Sequence, residues 1–357
     1  MTWLIPAVIG KIPVMTQQRV LVTGGSGFIA GHCILRLLQQ GYLVRTTVRS
    51  LSRESAVRAV LTDAGMVNGD ALSFVAADLM SDAGWPDAVE GCDFVLHVAS
   101  PVMPGHVDNP DDVIFPAREG TLRVLRAAHT AGIKRVVLTS AFHAVGWGHP
   151  RNDDHVFTEA DWTVIGGDGV DAYGEAKTLA ERAAWDFIET EGSATELVTM
   201  LPVAVMGPVM GNAVSGSNNI IKRILSGDLP GYPNLYFPIV DVRDVAAAHL
   251  LAMTTKEAAG QRFLLSNGPA VAMKEIGALI KTSFGAAAAK VPTRSLPNLA
   301  VKAGARVNPE LREIVPDLGY ARRTSNTRAC RVLGWRPRDP KEAILAAARS
   351  LVERSLV

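Results

Sequence analysis

Cysteine is scarce: Cys33, Cys92 and Cys330 are the only three in 357 residues. They lie far apart, with no disulfide or metal-ligand spacing, so a reducing compartment, the cytoplasm, is the expectation. Net charge is almost absent at +1, which removes the electrostatic argument for nucleic acid or an anionic membrane as partner. No uninterrupted apolar run reaches membrane-spanning length. The eight histidines are scattered, and none has a carboxylate or cysteine at ligand spacing, so no metal site is expected. The sharp G-x-S-x-G elbow of a serine hydrolase is also missing. The leader MTWLIPAVIGKIPV is apolar but short, is broken by Pro6 and Pro13, and lacks a basic start. It reads as a packing arm or as sequence upstream of a true start at Met15, not as a signal peptide. What remains is an ordinary globular balance, 48% hydrophobic against 20% charged, in a chain long enough for a large core.

The organising stretch runs from Arg19 to Arg49. A β-branched apolar run, Val20-Leu21-Val22-Thr23, has the length of a buried strand. A turn, Gly24-Gly25-Ser26-Gly27, follows. Phe28, Ile29, Cys33, Ile34, Leu37 and Leu38 then recur at helical spacing until Gly41 stops the helix. Tyr42 to Arg49 completes a βαβ unit. Glycines at such a turn let the backbone approach a diphosphate, whose charge sits on the unpaired N–H groups opening the helix. Thr23, Gly24, Ser26, Gly27, Phe28 and Ile29 are therefore candidate contacts to a dinucleotide. Ala30 occupies the place of the third glycine.

Alternation continues down the chain. Helices are predicted over Ser52–Ala64, Gly84–Gly91, Asp112–Ala131 and Tyr173–Glu191, and strands over 72–78, Asp93–Ser100, Arg135–Ser140 and Glu196–Val205. Each parallel crossover needs a helix, so the pattern implies an α/β doubly wound parallel sheet of the Rossmann type. Ligands in such sheets bind beyond the strand C-termini, which singles out Thr23, Arg49, Asp78, Ala99, Ser100, Thr139 and Ser140. Shorter elements, at 218–225, 236–242, 245–253, 262–266 and 273–284, read as a second lobe laid against the sheet. The division expected is an extension (1–18), a dinucleotide-binding core (19–205), and a mainly substrate-binding lobe (206–357) with elements returning to the core.

Tyr173 and Lys177 stand four residues apart on one helix face. A phenol with a pKa of about 10 is a poor proton-transfer catalyst at neutral pH, and a neighbouring cation is expected to lower it. At the end of the second strand, a site for NAD carries a carboxylate for the ribose hydroxyls. Arg49 stands there instead, with Arg45 and Arg53 nearby. A guanidinium pairs with a 2′-phosphate, so NADP(H) is the expected cofactor, held by Arg49 and Arg53.

These residues lie within motifs that resemble a family. VTGGSGFIA (22–30), TTVRS (46–50), AADL (76–79), LHVASP (96–101), PAREGT (116–121), VVLTS (136–140), YGEAK (173–177), LPVAVMGP (201–208) and VDVRDVAAAH (240–249) follow in the order of an extended short-chain dehydrogenase/reductase. The branch resembled is that of dihydroflavonol reductases, cinnamoyl-CoA reductases and yeast-type methylglyoxal or ketone reductases. The resemblance covers most of residues 19–340. It implies that Asp78 and Leu79 flank the adenine and that Ala99 and Ser100 follow the diphosphate and ribose. Val98, Thr139, Ser140, Tyr173, Lys177, Pro202, Val203 and Val205 complete the implied cofactor cleft. Two departures stand out. The family's strand-five motif commonly reads TSS, the second serine polarising the carbonyl, whereas this chain has Ala141 there. Ser140 is the leading stand-in, with Thr139 and His143 as the other candidates. Secondly, Glu119 replaces a helical asparagine.

The segments expected to roof the nicotinamide supply Met103, Phe142, Trp147, Val209, Met210, Tyr232 and Tyr236, with His143 as a candidate donor to substrate. Such a lining suits a hydrophobic carbonyl compound. The expectation is an NADPH-dependent carbonyl reductase with Tyr173, Lys177 and Ser140 as catalytic residues, working as a monomer or a homodimer on a small molecule. The competing readings are a sugar-nucleotide epimerase, a 3β-hydroxysteroid dehydrogenase, and a regulator that senses NADP(H) without turnover.

Overall fold

The computed structural model describes residues 17–101, 107, 109–191 and 194–357. The first half alternates as β1 (Arg19–Val22), α1 (Phe28–Gln39), β2 (Leu43–Val48), α2 (Glu54–Asp63), β3 (Leu72–Ala76), α3 (Trp85–Val89), β4 (Phe94–His97), α4 (Asp111–Thr130) and β5 (Arg135–Thr139). After a short strand β6 (Val156–Phe157) come α5 (Ala172–Thr190), β7 (Glu196–Pro202), β8 (Ala204–Met206), α6 (Asn218–Ser226), β9 (Tyr236–Asp241) and α7 (Val242–Thr254). The chain closes with β10 (Arg262–Leu265), β11 (Asn267–Ala272), α8 (Met273–Phe284), α9 (Asn298–Gly304), α10 (Pro309–Ile314), β12 (Arg323–Thr324), α11 (Thr327–Leu333) and α12 (Pro340–Glu353).

Seven strands form one parallel sheet in the order β10-β7-β5-β4-β1-β2-β3. This is the doubly wound arrangement that the sequence predicts, and its strand order reverses between β1 and β4. Its central strands are buried on both faces, which is why they read as unbroken apolar runs. Val20, Val22 and Leu96 pack with Ile34, Leu37 and Val245 on one side. Leu21, Val95 and Val136 pack with Trp85, Val124 and Leu125 on the other. Removal of this surface from water is the main favourable contribution to the fold.

The predicted strand Glu196–Val205 is two strands. It leaves the large sheet after Pro202, whose partner is Leu265, and re-enters as β8 in a three-stranded sheet ordered β11-β9-β8. An apolar pattern is continuous across this change because both pieces are half-buried or buried. The region beyond 206 carries its own apolar cluster, in which Ile221, Ile224, Ile239, Ile276, Ile344 and Leu351 meet. Two elements from that region, β10 and α7, pack into the large sheet instead.

Candidate active site

The candidate residues lie at the C-terminal ends of the parallel strands, on either side of the reversal of strand order. Thr23 follows β1 and is fully buried. Its hydroxyl accepts from the N–H groups of Val98 (3.0 Å) and Ala99 (2.9 Å) beyond β4 and meets His97 Nδ1 at 2.9 Å. Its two acceptor positions are thereby filled, so the hydroxyl donates to Nδ1 and the His97 proton resides on Nε2. Burial, aided by Lys177, pushes the His97 pKa down to about 3 and keeps the ring neutral. Thr23 is therefore a brace across the crevice, its hydroxyl engaged with protein.

The glycine turn has the shape a diphosphate needs. Gly24 has φ +73°, and a Cβ there would lie 2.9 Å from the Cβ of Ala99. Only glycine accepts both constraints. Gly27 precedes α1 without any side-chain cap, and no acidic residue lies in the helix's first turn. The opening N–H groups of Phe28 and Ile29 are thus left for an anion. Ser26 and Gly27 lie beside them, Ser26 exposed and Gly27 at the start of the helix. At the end of β2 the three arginines separate. Arg45 donates to the carbonyls of Asp87, Ala88 and Glu90 at the end of α3, so it is structural. Arg49 and Arg53 are exposed. Asp78 accepts from the Met80 N–H (2.9 Å), and Leu79 packs under Gly120 of α4. Pro202 and Val203 are buried where β7 ends, with Val205 half-buried just beyond.

Asp171 caps α5 by accepting from the Gly174 N–H at 2.7 Å. That cap sets the phase of the helix and brings Tyr173 and Lys177 to the sheet. Lys177 is buried, and its Nζ donates to the Thr139 carbonyl at the end of β5 (3.3 Å) and lies 6.0 Å from the centre of the Tyr173 ring. Burial lowers the Lys177 pKa to about 8 against the opposing pull of Glu181. Tyr173 departs from expectation. Burial, reinforced by the Asp171 carboxylate, pushes its phenol up to about 12. Loss of hydration of the phenolate outweighs the ammonium at this separation. A small cavity lies against Lys177, lined among others by Ala99, Ser100, Thr121, Thr139 and Ser140.

Ser140 is engaged elsewhere. Its hydroxyl donates to Glu181 Oε2 at 2.7 Å, inside a buried network that also takes Thr199 Oγ1 (2.7 Å) and Arg262 Nε (2.8 Å). Thr139 is likewise occupied. His249 on α7 holds Nδ1 against the Val245 carbonyl (2.8 Å), so that nitrogen must be the donor. Burial lowers the His249 pKa to about 4, leaving Nε2 as an acceptor for the Thr139 hydroxyl at 2.8 Å. Sequence reasoning missed Glu181, Arg262 and His249. Of these only Glu181, one helical turn beyond Lys177, carried a readable signal.

His143 lies edge-on to Tyr173, with ring centres 5.0 Å apart, and stacks on Trp147 at 4.1 Å and 8°. The other proposed pocket residues are placed differently. Phe142 is in the core against Trp147 and Phe157. Val209 is buried in the C-terminal cluster. Met210 lies over Gly31 and close to Leu61, so it fills the angle between α1 and α2. The Tyr232 hydroxyl donates to the Pro292 carbonyl and its ring is buried. Tyr236 is half-buried on β9. Met103 falls outside the described residues. Their place in the segments expected to roof the nicotinamide marked these side chains as apolar candidates without telling core from cleft.

Residues 20–265 match the NAD dependent epimerase/dehydratase family. A cinnamoyl-CoA reductase of Medicago truncatula is 36% identical over 260 residues, 69% of this chain and 75% of its own length. Ketoreductase azaE of Aspergillus niger is 32% identical over 356 residues, covering 95% and 98%. Among solved structures, Gre2 of Candida albicans in complex with NADPH superposes with a TM-score of 0.78 at 26% identity, over 94% of this chain and 99% of that one.

Proposed function

The chain belongs to the NAD dependent epimerase/dehydratase family as an extended short-chain dehydrogenase/reductase, and from that premise we propose that this NADP(H)-dependent reductase converts a largely hydrophobic ketone or aldehyde to its alcohol by acid catalysis from Tyr173. The observation that carries the reading is the meeting of Tyr173 and Lys177 with the β5 terminus, where Lys177 Nζ is fixed on the Thr139 carbonyl. The uncapped start of α1, the close approach of Gly24 to Ala99, and exposed Arg49 are the features that would hold the cofactor. Bound NADPH supplies the hydride.

Tyr173 gives its phenolic proton to the carbonyl oxygen as negative charge develops there. With a pKa near 12 the phenol is fully protonated at neutral pH, so the acid is always loaded. Lys177, charged below about pH 8, stabilises the phenolate left behind and holds the ribose. The names of the relatives, a cinnamoyl-CoA reductase and a ketoreductase, support a carbonyl compound as the substrate over a sugar diphosphate. The test is NADPH oxidation with a panel of ketones and aldehydes, run on the native chain and Tyr173→Phe. Turnover by the first and its loss in the second, with NADPH still bound, is the expected result. Activity confined to UDP-sugars would make the protein an epimerase, and NADPH binding without turnover of any substrate would make it a sensor.

A further inference from the structure

Carbonyl reduction by a single phenol leaves the developing oxyanion with one hydrogen bond, and Ala141 offers none. Two of the three side chains that sequence suggested as replacements have engaged hydroxyls. Ser140 donates to Glu181 (2.7 Å), and Thr139 donates to His249 (2.8 Å). Ser140 and Ala141 also point to opposite sides of an extended segment, Ala141 having φ −158° and ψ 160°. A hydroxyl already turned to a buried carboxylate cannot serve the substrate without leaving that charge short of a partner.

The third candidate differs in each respect. Among the described residues neither ring nitrogen of His143 has a hydrogen-bond partner, although the ring itself is held firmly. It stacks on Trp147 (4.1 Å), whose indole in turn carries the Arg322 guanidinium at 4.4 Å from its centre. Arg322 is anchored by donating to the Gly146 carbonyl (2.8 Å) and to Asp317 (2.7 Å). Fully buried Thr163 ties the loop from inside, donating to the His143 carbonyl (2.7 Å) and accepting from the Trp147 N–H (3.1 Å). The imidazole is therefore positioned before any substrate arrives, with its ring centre 5.0 Å from that of Tyr173 and the two planes at 76°. Preorganised donors of this kind stabilise an oxyanion most effectively.

We infer that His143 donates the second hydrogen bond to the substrate carbonyl oxygen, in the role left empty by Ala141. This rests on the reading of Tyr173 as the acid. The imidazole acts as a neutral N–H donor: burial lowers its pKa, with Arg322 and Lys177 acting in the same sense and Asp171 and Asp317 opposing them. A neutral donor stabilises the oxyanion without competing with Tyr173 to deliver the proton.

The experiment compares His143→Phe, His143→Gln, Ser140→Ala and Ser100→Ala with Tyr173→Phe in the full chain, using NADPH and a ketone that the native protein reduces. His143→Phe keeps a ring on Trp147 and removes both nitrogens, and His143→Gln keeps an N–H donor. The expected result is a fall in kcat of roughly 10²-fold in His143→Phe, with NADPH affinity unchanged. His143→Gln should retain more activity, and adding Ala141→Ser to His143→Phe should recover part of the loss. If Tyr173→Phe is inactive while His143→Phe keeps kcat within about threefold of native, the role of His143 is overturned and the acid assignment survives. A loss carried by Ser100→Ala or Ser140→Ala in its place would overturn it equally. If Tyr173→Phe itself retains full rate, the underlying reading fails first. Retained NADPH binding in each variant separates these outcomes from misfolding.

Discussion

Lys177 is held between two opposing influences: burial favours its neutral form, and Glu181, one turn along the helix, favours the cation. The balance, near pH 8, gives a sign to the pH profile. Below that value the ammonium is present to stabilise a Tyr173 phenolate; above it the cation is lost. Carbonyl reduction should therefore be level through neutrality and fall as pH rises past about 8. Tyr173 adds no limb in this range because it stays protonated. Alcohol oxidation needs the phenolate as base, so it should rise with pH instead. Measuring kcat against pH in both directions checks this, and a reduction rate that is flat to about pH 10, where an unperturbed lysine titrates, would show that Lys177 stays charged in the working protein and does not set the profile. The Tyr-Lys pair was legible in sequence because the spacing alone puts both on one helix face. The engagement of Ser140 was not, since its acceptor Glu181 lies 41 residues away.

At the scale of the element, α5 carries Tyr173, Lys177 and Glu181 at four-residue intervals, so a single face of one helix holds the proposed acid, the ammonium beside it and the buried carboxylate one turn further on. Glu181 is fully buried and pairs with Arg262 of β10, whose guanidinium also donates to the carbonyls of Glu159 (2.8 Å) and Asp161 (2.9 Å) and stacks 3.5 Å from the Trp162 ring centre. Removing one partner from such a pair leaves an uncompensated charge. Arg262→Ala should cost about 3–5 kcal/mol of unfolding free energy, read from urea denaturation, whereas a cost below about 1 kcal/mol would be that of an exposed pair. Turnover should fall with it, since Ser140 and α5 share the network. Helix and strand identities along α5 and β7 were readable from periodicity, whereas β10 was marked only as a short element. The passage of the chain from one sheet to another at Val203 was not, because burial on both sides of the break erases the signal.

For the whole molecule, cofactor binding should appear as stability, because a ligand that binds only the folded state shifts the unfolding equilibrium. NADPH at about a hundred times its Kd should stabilise the chain by about 2.7 kcal/mol, raising Tm. Arg49→Asp should weaken NADPH relative to NADH by about 1–3 kcal/mol, the contribution of a charge-assisted hydrogen bond. At fixed concentrations the Tm gain from NADPH should then shrink while that from NADH persists. Equal losses for the two cofactors would put Arg49 away from the 2′-phosphate. Apolar runs of strand length, glycines between a strand and a helix, and a phenol one turn from an ammonium are local patterns. From them alone the parallel sheet, the dinucleotide turn and the Tyr173–Lys177 pair followed. Which hydroxyls remain free and which apolar side chains are core depend on partners brought together by β10, α7 and the loop after β5. Those contacts span tens to hundreds of residues, so only the folded chain could engage Ser140 and Thr139, bury Phe142, and leave the His143 ring nitrogens open beside Tyr173.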